Sequence, residues 1–171
     1  MKRWVWSVVV MLLVGVAAGC GGGVQRAVLP AGVSGDIAVL SLAPDTKDLN
    51  DDQIALLRQT MTWMERDRLN ALKKKGLNPV KIEQQKDFSG NGHLLKVAVL
   101  DSKLIPKSAR FGFGMMAGAD RLNLHYDLID RKGKTVLSWD DVQASTKSGT
   151  HCAETLNRNA ADKVAAYLGG K

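Results

Sequence analysis

Two thiols and three imidazoles are the residues of this chain whose chemistry is most readily followed. Cys20 and Cys152 are its only cysteines, too few for a disulfide-stapled scaffold or a Cys-rich zinc module. Cys152 follows His151 near the start of a C-terminal helical pattern, where an imidazolium and the helix N-terminus would both favour a thiolate. Side chains adjacent on a helix point about 100° apart, so the pair makes a poor catalytic dyad. Cys152 is read as a buried inert thiol, with an intermolecular disulfide or a reactive thiolate as alternatives. His93, His125 and His151 are scattered, and none has the i, i+4 spacing of a helical metal site. His125 and Asp127 share one strand face, which allows at most a weak surface metal contact. No Gly-x-Ser-x-Gly nucleophile elbow is present. The expectation is therefore no catalytic residue, no metal and no cofactor.

The most unusual stretch is Arg110-Phe111-Gly112-Phe113-Gly114-Met115-Met116-Ala117-Gly118-Ala119-Asp120. Its glycines run one residue longer than a dinucleotide fingerprint. The next segment alternates like a strand, whereas pyrophosphate binding needs a helix N-terminus there. Two readings remain. One is a mobile apolar loop that meets the membrane or a partner, since Phe111, Phe113, Met115 and Met116 are costly to expose and methionine suits adaptable surfaces. The other is a strand-connecting loop whose glycines allow tight bends while its apolar side chains close the core.

The first nineteen residues read as an address. Met1-Lys2-Arg3 is basic, Trp4 to Ala18 carry no charge, and Ala17-Ala18-Gly19 are small. The apolar run is shorter than a membrane-spanning helix needs. Cys20 after Ala-Ala-Gly resembles the lipobox of bacterial lipoproteins, although Ala17 stands where leucine is commonest. The resemblance implies cleavage before Cys20, a diacylglycerol on its sulfur and an acyl group on its amine. Two or more chains make an anchor that hardly leaves a bilayer, because each buried methylene contributes about 0.8 kcal/mol. Gly21 is not the aspartate of an inner-membrane retention signal, which favours the outer membrane facing the periplasm.

Residues 20–35 are expected to be the acylated cysteine and a flexible tether, with five glycines and one proline from 21 to 35. Residues 36–171 are expected to form one domain. Hydrophobic content of 45% and charged content of 24% are ordinary globular values. Without Lys2 and Arg3 the mature chain keeps 22 positive and 17 negative groups, a formal charge of +5. That surplus suits anionic envelope components. It is scattered, and aromatic content is only 5%, so nucleic acid is excluded as a partner.

The elements that must position these residues follow from pattern. Ile37 to Leu42 is an apolar run that suits a central strand buried on both faces. Asn50, with Gln53 three residues on, opens a helix of about 25 residues. Its stripe is Ile54, Leu57, Met61, Met64 and Leu72, and Lys73-Lys74-Lys75 and Gly76 end it. Val80 to Gln84, Leu94 to Ile105, Arg121 to Ile129 and Thr135 to Ala144 read as strands. In the clearest, Leu122, Leu124, Tyr126 and Leu128 point one way and Arg121, Asn123, His125 and Asp127 the other. Asp130 to Lys134 is a hairpin turn, and Thr150 is the expected cap of the last helix. The predicted order is β-α-β-β-β-β-α: an α+β fold with one mixed, mainly antiparallel sheet of about five strands and two helices on one face.

Arg110, the Gly112-Phe113-Gly114 run, Gly118 and the strand from Leu122 to Asp130 resemble the bacterial lipoprotein family called domain of unknown function 4410. That resemblance implies an envelope lipoprotein and carries no catalytic residue. The leading expectation is a non-enzymatic, lipid-anchored periplasmic module that binds an envelope protein partner through residues 110–118. The alternative is a small-molecule or lipid-binding module with a pocket between helix and sheet.

Overall fold

A computed structural model describes residues 36–113 and 118–169. The signal segment, Cys20, the tether, and Gly114, Met115 and Met116 lie outside the described residues. Five strands form one sheet: β1 (Asp36–Ser41), β2 (Asn78–Ile82), β3 (His93–Lys103), β4 (Asp120–Ile129) and β5 (Thr135–Ser145). Their order is β2-β1-β3-β4-β5. Strand β1 pairs in parallel with both β2 and β3, while β3, β4 and β5 form a longer antiparallel meander. The apolar run of β1 thus sits inside the sheet, as its sequence predicts. Helices α1 (Asp51–Lys74) and α3 (Gly149–Gly169) pack side by side on one face.

Local sequence explains where the helices begin and end. Asn50 Oδ1 accepts from the Gln53 amide at 2.9 Å, and Gln53 Oε1 accepts from the Asn50 amide at 3.0 Å. This capping box satisfies two amides that the first turn of α1 would leave open. At the other end the Gly76 amide donates to Lys73 O and the Leu77 amide to Leu72 O, which turns the chain into β2. Helix α3 differs from expectation. Ser148, not Thr150, caps it: Ser148 Oγ accepts from the His151 amide at 3.1 Å. Either hydroxyl fits the composition rule; the helix starts at Gly149, two residues earlier than a Thr150 cap implies, so the cap moves to Ser148.

The core lies between the helices and the inner sheet face. Val39, Leu95, Val97, Leu124, Tyr126 and Leu128 meet Met64 and Leu72 of α1 and Leu156, Ala160 and Val164 of α3. Tyr126 and Trp139 stack with ring centroids 4.8 Å apart, and Lys163 lies over the indole. Small Ala153, Ala160 and Ala161 let α3 approach closely. A second, smaller apolar cluster of Leu40, Leu94 and Ile129 lies apart from the main core, with Phe88 and Ile82 packed on it.

A guanidinium is buried in this core. Arg68 falls on the apolar stripe of α1 and is 1% exposed. Its Nε donates to Asn157 Oδ1 at 3.2 Å and its Nη1 to Ser41 Oγ at 3.0 Å. Asn157 in turn donates to Met64 O and to Asp67 Oδ2. The knot ties α1, α3 and β1 together.

The segment between β3 and β4 corrects the sequence reading. Residues 110–118 were expected to be a loop, yet a short helix, α2 (Lys107–Phe113), occupies its first half. Gly112 is therefore helical and not a bend. The α-helical turn forms because Pro106 supplies the first acceptor, taken by the Arg110 amide at 3.2 Å.

Candidate functional site

The candidate site is the end of the molecule where α2 meets the start of β4 and the start of α3. Arg110 holds these three together. Its Nη2 pairs with Asp120 Oδ2 at 2.5 Å, and its Nη1 donates to Thr146 O at 2.5 Å. Asp120 is only 2% exposed. Its second oxygen, Oδ1, accepts from the Ile105 amide at 2.7 Å. One carboxylate thus fixes both ends of the connection that carries α2. Gly118, at φ 90°, makes the return into β4 in a conformation that side chains rarely adopt.

The clamp presents one side chain outward. Phe111 is 97% exposed, far above any other large apolar side chain among the described residues. Phe111 and Gly112 are both exposed, while Arg110 is turned inward. Sequence reasoning singled out Arg110, Phe111, Gly112 and Gly118 as contact residues and gave Asp120, at the end of the same stretch, no role. The signal was there: a carboxylate opening a strand, ten residues after an arginine in an otherwise uncharged stretch.

Beneath the clamp lies a cavity of about 300 Å³. Leu56 and Trp63 of α1 and Leu104 and Ile105 form its apolar wall. Arg110, Asp120, Lys147, Ser148 and Thr150 form its polar rim. A Cβ on Gly149 would stand 2.6 Å from Leu104 Cδ2, so a larger residue there would have to turn the Leu104 side chain away from this wall. Arg110 is neutralised by Asp120, whereas Lys147 is exposed and has no ion-pair partner among the described residues.

The remaining candidates fall elsewhere. Cys152 is fully buried, and its Sγ donates weakly to Asp120 O at 3.6 Å. Burial, and then the Asp120 carboxylate, push its thiol above the ordinary range, with Arg110 opposing. The inert reading of Cys152 is the one the structure favours. His125 lies on the sheet face opposite α1 and α3, with Nδ1 2.6 Å from Asp140 Oδ1 and Nε2 3.3 Å from Asp127 Oδ1. Ser138 Oγ is 3.5 Å from Nε2. The outline is that of a serine-histidine-aspartate relay, but each ring nitrogen faces a carboxylate. Hydrogen bonding to Asp140 raises its pKa, and Asp127 occupies the nitrogen that a general base would need. The two carboxylates lie on opposite ring nitrogens, so they do not converge on one metal position. No group of three metal-ligating side chains occurs among the described residues.

No family model matches the chain, and no curated protein matches it in sequence. Solved structures do. The chain is similar to PelC from Paraburkholderia phytofirmans, solved as a dodecamer, at 19% identity, with a TM-score of 0.50 over 74% of this chain and 85% of that one. It also aligns with a minor lipoprotein from Acinetobacter baumannii at 12% identity and a TM-score of 0.33, covering 79% of this chain and 92% of that one. At these identities the PelC likeness is one of fold.

Proposed function

We propose that this chain is a non-enzymatic, lipid-anchored envelope module that makes a protein contact through α2. The anchor is Cys20 and the location the periplasmic face of the outer membrane, as the lipobox-like segment implies. One observation carries the contact: Phe111 stands 97% exposed on a helix whose base is pinned by Arg110 and Asp120. A rigid exposed aromatic loses little freedom on docking and suits an interface anchor. An acyl tether raises the local concentration of that contact, so a weak one suffices. PelC is a dodecamer, so a second copy of this chain is a partner that the fold admits.

A photocrosslinker at position 111, activated in intact membranes, should give one discrete adduct. The same probe at Val80, which is 61% exposed on the far strand, should give none. Equal yields at the two positions would overturn the assignment. The anchor has its own test: labelled palmitate should enter the wild type in a globomycin-sensitive way and be absent from Cys20→Ser.

A second reading rests on a different observation. The cavity of about 300 Å³ beside α1, α2 and α3 lies at the lower end of the size range of small-molecule sites. It supports a ligand-binding role for the same end of the molecule.

A further inference from the structure

We infer that the cavity under α2 takes a small amphiphilic anion, a carboxylate on a short hydrocarbon body; this deepens the second reading above and rests on it. The cavity is two-sided. Leu56, Trp63, Leu104 and Ile105 offer an apolar wall, interrupted on α1 by Gln59 and by Thr60, whose hydroxyl already donates to Leu56 O, so most of the body that fills it is apolar. The rim has one surplus charge. Arg110 and Asp120 cancel, and Lys147 remains as an exposed cation without a carboxylate partner among the described residues. The Ser148 and Thr150 hydroxyls hydrogen-bond each other at 2.7 Å on the same rim, which leaves one O–H of the pair to donate to a carboxylate oxygen. A neutral ligand would leave the Lys147 ammonium unused, and a dianion would face the Asp120 carboxylate. A single negative charge on an apolar tail matches both halves. The volume excludes a whole phospholipid and admits a chain of roughly eight carbons, at the low end of ligand pockets.

The test is isothermal titration of octanoate, octanol and acetate into the intact lipoprotein in phosphatidylcholine nanodiscs, with empty nanodiscs subtracted. Octanoate should bind saturably, and octanol about tenfold more weakly, the ratio that one charge-assisted contact supplies; acetate, which keeps the charge but lacks six methylenes, should bind at least about a hundredfold more weakly. Lys147→Ala should bring octanoate down to the octanol level and leave octanol unchanged, and Lys147→Arg should restore it. The Lys147 side chain is exposed, so these variants keep the fold. Equal affinity for octanoate and octanol would overturn the anion assignment while the pocket reading stands. Acetate binding as tightly as octanoate would overturn the apolar half. No saturable heat for octanoate or octanol would remove the pocket reading along with the inference.

Discussion

Asp120→Ala is the substitution that separates a clamped α2 from an incidental one. The carboxylate is 2% exposed and serves two donors, the Ile105 amide at 2.7 Å and Arg110 Nη2 at 2.5 Å. Removing it leaves the part-buried Ile105 amide unsatisfied, worth about 1 kcal/mol at the low end of the range for buried donors. It also strips the partner from a largely buried guanidinium; breaking a fully buried pair costs about 3–5 kcal/mol, and less here because Arg110 keeps its bond to Thr146 O. The two penalties overlap, and a total of about 3 kcal/mol follows. For a domain of this size that is a fall in Tm of about 10 °C. Asp120→Asn keeps one acceptor oxygen where two are needed, so it should lose about half as much. Urea unfolding gives the two free energies, and hydrogen exchange gives the place. Amides of residues 107–113 should lose protection in both variants, and those of β1 should not. A loss below about 1 kcal/mol for Asp120→Ala, or unchanged exchange in α2, would refute the clamp.

Phe111→Ala should change stability by less than about 0.5 kcal/mol, because the ring already faces solvent, while a membrane crosslink read from a photocrosslinker at exposed Ser108 of the same helix disappears. Arg68→Met should cost about 1–2 kcal/mol, since it orphans Asn157 Oδ1 but removes a charge with no bonded carboxylate; Arg68→Ala should cost at least about 1 kcal/mol more through the cavity it leaves, both read by urea unfolding. His125 has a raised pKa in the folded state, so its contribution is complete below about pH 6.5, the unfolded value, and is lost as pH rises through the folded one. The urea midpoint of the wild type should therefore fall from pH 6 to pH 9 more steeply than that of His125→Gln. Cys152 should resist iodoacetamide at pH 7.5 in the native protein and react once it is unfolded, as a raised and buried thiol requires.

Period-2 alternation was enough to place β4: Leu122, Leu124, Tyr126 and Leu128 are each at most 1% exposed, and their neighbours are not. The capping residues of α1 were equally visible, because Asn50 and Gln53 act within one turn. Helix α2 was not. Gly112 and Gly114 lower helix propensity, and the exposed Phe111 breaks the amphipathic rule by which short helices are found. Arg68 was legible as a gap. The stripe Leu57, Met61, Met64, Leu72 skips the position between the last two, where only a charged residue stands, and that residue is in the core. Long-range partners hide from periodicity: Asn157 and Ser41 meet Arg68 from sequence separations of 89 and 27 residues. Asp120 hid for the same reason, since its worth depends on Ile105 and Arg110 arriving together.

The contact and the cavity share the same two residues, and this ties the two readings thermodynamically. Arg110 and Asp120 form the base of α2 and part of the cavity rim at once. A ligand that stiffens this pair lowers the ordering cost of docking at Phe111, and a docked partner lowers the ordering cost of the ligand. Linkage makes the two effects equal: the factor by which octanoate tightens partner capture is the factor by which the partner tightens octanoate. Asp120→Asn should reduce that factor toward one even where each separate binding survives, because it loosens the only element common to both. Equal coupling in wild type and Asp120→Asn would place the contact and the cavity on independent parts of the surface.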